Sequence, residues 1–117
     1  MAEKIIIYQK PSCTKCRTTL RLLRDKGIEF DAINYYEQPL TVEQFRELLG
    51  KLKLSPRGVL RKDEPLTRKL QLSKRDLSDD ELIELMVENP DLIQRPIVVR
   101  GKKAVLGRPP ENVEKLL

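Results

Sequence analysis

The chain has two cysteines, three residues apart, in Pro11-Ser12-Cys13-Thr14-Lys15-Cys16-Arg17. The apolar run Ile5-Ile6-Ile7-Tyr8 before them reads as a buried strand. Leu20, Leu22 and Leu23 after them read as the apolar side of a helix. Both thiols therefore fall where a strand hands over to a helix. A thiol there faces unpaired backbone N–H groups and the positive end of the helix dipole, which favour the thiolate. Lys10, Lys15 and Arg17 add positive charge nearby. The spacing lets the two sulfurs meet across the first helical turn, within disulfide reach. The chemistry this points to is nucleophilic or redox thiol chemistry at Cys13, with Cys16 as a second thiol.

Other uses of the pair are weaker. Structural zinc takes four ligands, normally Cys and His, and this chain has no histidine and no further cysteine. No bound metal is expected. A static disulfide would close too small a loop to stabilise a fold much. Two inert buried thiols fit poorly with polar and basic flanks.

A length of 117 residues suits one domain with a modest core. Hydrophobic residues are 39% and aromatics 4%, so that core must be mostly aliphatic. No stretch approaches the roughly 20 apolar residues of a membrane span. The chain opens directly into its first strand without a signal-peptide pattern, so a reducing cytoplasm is the expected compartment. The net charge of +5 suits an anionic partner. The basic residues are interleaved with Asp and Glu, and aromatics for base stacking are scarce, which argues against nucleic acid. A monomer acting on a small molecule is expected.

The elements that must position the thiols follow in order. Lys4 to Tyr8 is strand one, and Thr14 to Lys26 is a helix stopped by Gly27. Ile28, Phe30 and Ala32 alternate in a second strand reaching Asn34, so the unit implies a parallel pair with a crossover. Thr41 with Gln44 is a capping-box signature opening a helix that stops near Gly50; Ser78 with Glu81 opens another, ended by Asn89-Pro90. Ser55 to Leu72 holds shorter helices. Ile97-Val98-Val99 and Ala104-Val105-Leu106 flank Arg100-Gly101-Lys102-Lys103 as a hairpin, and Pro109-Pro110 opens a short final helix.

This order, with C-x-x-C at the first strand-to-helix turn, resembles the thioredoxin fold: α/β, a mixed four-stranded sheet in βαβ…ββα order, one domain over 1–117 with a helical insertion at about 53–92. Gly58-Val59-Leu60-Arg61-Lys62, Gln94-Arg95-Pro96-Ile97-Val98-Val99 and Leu106-Gly107-Arg108-Pro109-Pro110-Glu111 sharpen the match. With Tyr8-Gln9-Lys10-Pro11-Ser12-Cys13, they resemble the arsenate reductase family of the glutaredoxin-coupled type along essentially the whole chain. The resemblance implies that Cys13 is the nucleophile and that Arg61, Arg95 and Arg108 surround a small oxyanion. It also implies no bound cofactor, with glutathione and glutaredoxin, or thioredoxin, as external reductant. Arsenate carries about two negative charges near neutral pH, as phosphate does, so a thiolate needs positive donors to approach it. Arginine supplies a permanent charge and paired donors.

Two departures from the family pattern stand out. Many members carry a histidine near the nucleophile, where this chain has Gln9. Many lack a second cysteine, whereas Cys16 here could resolve a Cys13 adduct into an internal disulfide. Two further readings of the same residues are a general thiol–disulfide oxidoreductase and a redox-sensing regulator of the related Spx type, which binds RNA polymerase. The reaching-back of Arg95-Pro96 toward the cysteine is expected to use a cis proline just before the third strand.

Overall fold

The computed structural model describes residues 4–117. The chain packs as two compact units. One runs to Gln38 and resumes over Arg95–Leu117, and the other is Pro39–Gln94.

The first unit is built on a mixed four-stranded sheet of order β2-β1-β3-β4. Strand β1 is Ile5–Gln9, β2 is Phe30–Asn34, β3 is Ile97–Arg100 and β4 is Lys103–Leu106. Strand β1 pairs in parallel with β2 and antiparallel with β3, and β3 pairs antiparallel with β4. Strand β1 starts one residue later than the expected Lys4–Tyr8 and ends one later. Gln9 is thus its last residue, paired with Asn34 and buried. Helix α1, Thr14–Asp25, connects β1 to β2. It ends as expected at Gly27, whose φ of +70° is free for glycine and whose N–H donates to the Arg24 carbonyl.

One core serves this unit. Ile5 and Ile7 of β1, Val98 of β3 and Leu23 of α1 pack with Val113 and Leu116 of the final segment, Pro110–Leu116, a 3-10 helix. The alternation expected in the second strand is not seen: Phe30 is half-buried and Ala32 exposed. Strand β2 is an edge of the sheet, so its outward face is only partly covered.

The second unit is helical. It contains α2 (Val42–Leu52), α3 (Pro56–Val59), α4 (Pro65–Lys69), α5 (Asp79–Glu88) and a 3-10 turn at Pro90–Leu92. Both expected capping boxes form: the Gln44 N–H donates to Thr41 Oγ1 at 3.1 Å, and the Glu81 N–H to Ser78 Oγ at 3.2 Å. Phe45, Leu48 and Leu49 of α2, and Leu82, Ile83 and Met86 of α5, are the buried residues of two helices that pack on each other. Helix α2 does not stop at Gly50. It runs to Leu52, and Lys53 takes the left-handed closing position at φ 58°.

Candidate active site

The sheet topology gathers one end of the first unit. Strands β1 and β2 run in the same direction, so Lys10–Cys13 and Tyr35–Tyr36 leave the sheet at the same edge. Strand β3 runs the other way, so its entry, Arg95-Pro96, lies at that edge too. Strand β4 runs antiparallel to β3 and brings Gly107-Arg108 there. Four strand ends, distant in sequence, thus supply one site.

Cys13 is the N-cap residue of α1, with extended backbone (φ −81°, ψ 123°). Its N–H donates to the Lys10 carbonyl at 2.9 Å, which fixes the turn. Its sulfur does not close a short cap hydrogen bond, yet the N–H of Cys16 still favours its anion. Burial of the sulfur opposes ionisation. That N–H, the Cys16 thiol donating to the same sulfur, and Arg95 as donor and charge together outweigh burial and hold the Cys13 thiol below its ordinary value. The cation that acts on it is therefore Arg95, brought from β3, rather than the exposed Lys15 or Arg17 beside it in sequence.

Cys16 is fully buried, one turn into α1. Burial pushes its thiol up to about 12, and the negative charge of Cys13 adds to this, while the N–H of Lys10 acts in the opposite direction without prevailing. The two thiols have unequal tasks: Cys13 is the anion, and Cys16 keeps its proton and donates it to Cys13. Both are free thiols.

Arg95 is only 8% exposed. A buried cation needs partners, and it has them: Nη1 donates to Tyr36 Oη at 3.3 Å. Burial works against its charge, but Tyr35, Tyr36 and Cys13 raise it above its ordinary value, so it stays a cation. Its Nε is buried with no hydrogen-bond partner, and so is Gln9 Oε1; these are the two such atoms among the described residues. A buried donor normally finds an acceptor, so a spare N–H on a cation beside a thiolate suits an anionic ligand. The Arg95-Pro96 bond is cis as expected; so is Arg108-Pro109, for which the sequence offered no separate sign.

Arg108 is half-buried just after β4, with its carbonyl held by Asn112 Nδ2 at 3.2 Å. Gly107 before it sits against Pro96: its N–H donates to the Pro96 carbonyl at 2.9 Å, and a Cβ there would lie 2.7 Å from Pro96 Cγ. Arg61 belongs to the second unit. There its Nη1 donates to Glu64 Oε2 and to the Asp91 carbonyl, both at 3.1 Å. The first unit thus brings together Cys13, Cys16 and Arg95 and carries Arg108 at the same sheet end, while Arg61 has structural partners of its own.

Sequence reasoning missed Tyr35, Tyr36 and the reach of Lys10. The Tyr35 and Tyr36 rings lie 5.0 Å apart, and Lys10 Nζ stands 4.6 Å from the Tyr36 ring centroid. The available signal was an adjacent pair of tyrosines, in a chain with three, just past the end of β2.

Known proteins resemble this chain along its length. The model of the ArsC family matches residues 8–116. The structure of an arsenate reductase from Vibrio cholerae is 42% identical and superposes with a TM-score of 0.94, covering 100% of both chains. An arsenate reductase of Haemophilus influenzae is 40% identical over 97% of this chain and 98% of its own length. A protein of Escherichia coli K12 described as uncharacterized, YfgD, is 42% identical over 100% of this chain and 99% of its own.

Proposed function

The chain belongs to the ArsC family, with its thioredoxin-like fold, and we propose from that premise that it is an arsenate reductase whose nucleophile is Cys13. The observation that carries this assignment is Arg95: a buried cation, held charged beside Cys13, with one N–H to spare. Such a group lowers the cost of bringing an arsenate anion to a thiolate and stabilises the charge that develops as the S–As bond forms.

The cycle balances with the two thiols present. The Cys13 thiolate forms an S–As bond, and one arsenate oxygen leaves as water after taking up protons. Cys16 then attacks Cys13 Sγ. The S–S bond forms, the S–As bond breaks, and its electron pair stays on arsenic, which leaves as arsenite. The proton of Cys16 goes to the departing oxyanion. Two electrons pass from the dithiol to arsenic, and a Cys13–Cys16 disulfide remains for an external dithiol, thioredoxin or glutaredoxin with glutathione, to reopen. In the resting state the Cys16 thiol donates to Cys13 and supports its charge. Once Cys13 is bonded to arsenic, that charge is gone, and of the effects holding the Cys16 proton burial is the one that stays. Arg108, at the same sheet end, is the second oxyanion donor. The assignment of Arg61 to the oxyanion rests on the family resemblance alone.

The test is a single turnover without added thiol. Pre-reduced protein mixed with equimolar arsenate should release one arsenite per chain and lose both free thiols. Cys13→Ser should release none. Cys16→Ser should release arsenite only when an external thiol is added. Wild-type protein that reduces a small disulfide but never arsenate, with either reductant system, would replace this reading by a general thiol–disulfide oxidoreductase.

A further inference from the structure

We propose that Tyr36 is a positioning residue for the nucleophile: its hydroxyl holds Arg95 beside Cys13, and its ring face holds the side chain of Lys10, whose carbonyl fixes the turn that carries Cys13. The proposal rests on the reading of Cys13 as nucleophile.

The ring itself is on a stiff support. Asn34 Oδ1 accepts the Tyr36 N–H at 3.0 Å, and the Asn34 carbonyl accepts from the N–H groups of Glu37 and Gln38 at 3.1 and 2.9 Å. Asn34 is the residue paired with Gln9 at the end of the parallel ladder, so the turn is tied to the strand that delivers Cys13. Tyr35 anchors the turn beneath, only 2% exposed, with its ring tilted against that of Tyr36.

From that support Tyr36 meets two cations. Arg95 Nη1 donates to its hydroxyl oxygen at 3.3 Å. Lys10 Nζ stands 4.6 Å from its ring centroid, within the range of a cation–π contact. Each cation meets a region of negative charge on this one side chain. The oxygen lone pair and the negative ring face each offset one of them. Arg95 is the cation that acts on the Cys13 sulfur, and the Lys10 backbone, through its carbonyl, holds the Cys13 N–H and with it the turn. Tyr36 therefore acts on Cys13 through two neighbours that are both positioned by it. A ring that merely filled space would need neither the hydroxyl nor a cation over its face.

Two variants separate the contacts. Tyr36→Phe keeps the ring and removes one of the two tyrosine oxygens that Arg95 meets, the other being that of Tyr35; Tyr36→Leu removes the ring face as well. The readout on the folded protein is the alkylation of Cys13 by neutral iodoacetamide and anionic iodoacetate across pH, in a Cys16→Ser background, together with kcat/KM for arsenate in the full-length reductase. Tyr36→Phe should move the alkylation midpoint toward that of an ordinary thiol and lower arsenate kcat/KM by about tenfold, the scale for losing a hydrogen bond to a charged group. Tyr36→Leu should do more of both, and should lower the preference for iodoacetate over iodoacetamide further. Adding Lys10→Met should then cost less in Tyr36→Leu than in the wild type, because the pair would already be uncoupled. Folded variants with the wild-type alkylation midpoint and reagent preference would overturn the proposal, whatever their stability. The alkylation readout contains no arsenate, so a wild-type protein inactive on arsenate would remove the proposed function without deciding the role of Tyr36.

Discussion

Gly107→Ala adds one methyl group and should cost both stability and activity. The new Cβ would stand 2.7 Å from Pro96 Cγ, 3.3 Å from Pro96 Cδ and 3.1 Å from Thr19 Oγ1. Carbon atoms in contact sit about 3.5–4.0 Å apart, so the proline ring would have to withdraw by nearly an ångström. It has little room: Pro96 is buried, its ring is rigid, and Thr19 Oγ1 is committed to the Lys15 carbonyl at 3.0 Å. Overpacking of this kind costs about 1–3 kcal/mol, against a gain of about 0.4–1 kcal/mol from stiffening the unfolded chain. The clash wins, by about 1–2 kcal/mol, or a drop in Tm of about 4–8 °C for a chain of this size. Because Pro96 follows Arg95 directly and its carbonyl bonds to the Gly107 N–H, the displacement should reach the cation beside Cys13. Arsenate turnover should therefore fall at temperatures where the variant is fully folded. Gly50→Ala is the control. It lies in α2 with nothing within 4 Å of its added Cβ, so the same substitution should stabilise by about 0.5–1 kcal/mol. Urea denaturation of both variants decides the matter. A Gly107→Ala protein as stable and active as the wild type, or two glycines shifting stability the same way, would refute the reasoning.

The unequal thiols make stability depend on pH with opposite signs. Cys16 is raised from 9.0 to about 12, so between these values the unfolded chain releases its proton while the folded one does not; stability falls with rising pH, and Cys16→Ala should flatten that limb in urea titrations. Cys13 is lowered from 9.0; its contribution is complete above 9.0 and is lost as pH falls through its depressed folded value, so Cys13→Ala should remove that part of the slope. Arg108→Ala should lower arsenate kcat/KM by about 10²-fold, the scale for removing one charge-stabilising donor, and leave exchange with a small neutral disulfide nearly intact. Arg95→Ala should impair both reactions, because Arg95 also supports the thiolate. Arg61→Ala, which leaves the Asp91 carbonyl and Glu64 without their partner, should cost about 1–2 kcal/mol of stability by urea denaturation.

Local chemistry made much of this legible in the sequence. The capping boxes at Thr41 and Ser78 formed because each satisfies two helix-end N–H groups using residues three apart. The parallel β1–β2 pair followed from the length of the β1–α1–β2 unit and the β3–β4 pair from the short hairpin, while the placing of β3 beside β1 had no local sign. Gly50 misled because glycine is tolerated in a helix whose neighbours Leu48 and Leu49 are buried; packing carried α2 past it, and Lys53 accepted the left-handed position instead. The cation beside Cys13 was harder to see. Lys15 and Arg17 were near in sequence, but their side chains point outward from α1 into solvent, while Arg95 arrives from a strand some eighty residues on. Tyr36 and the close approach of Gly107 to Pro96 were hidden for the same reason: they exist only where strand ends meet.

The absence of histidine changes how such a nucleophile can work. A histidine would support a thiolate only while protonated, so its help would fade near neutral pH. Here the supporting groups are the N–H of Cys16, the un-ionised Cys16 thiol and the Arg95 guanidinium. None of the three titrates near neutrality: the N–H is fixed by the helix, Cys16 keeps its proton until about 12, and the guanidinium, raised above its ordinary value, stays charged. Burial of the sulfur opposes them, so each donor is needed: two come from Cys16 in the first turn of α1, and the third, Arg95, from a segment some eighty residues further on. The buried Gln9 Oε1 takes no part in that support, since a carbonyl oxygen repels a thiolate.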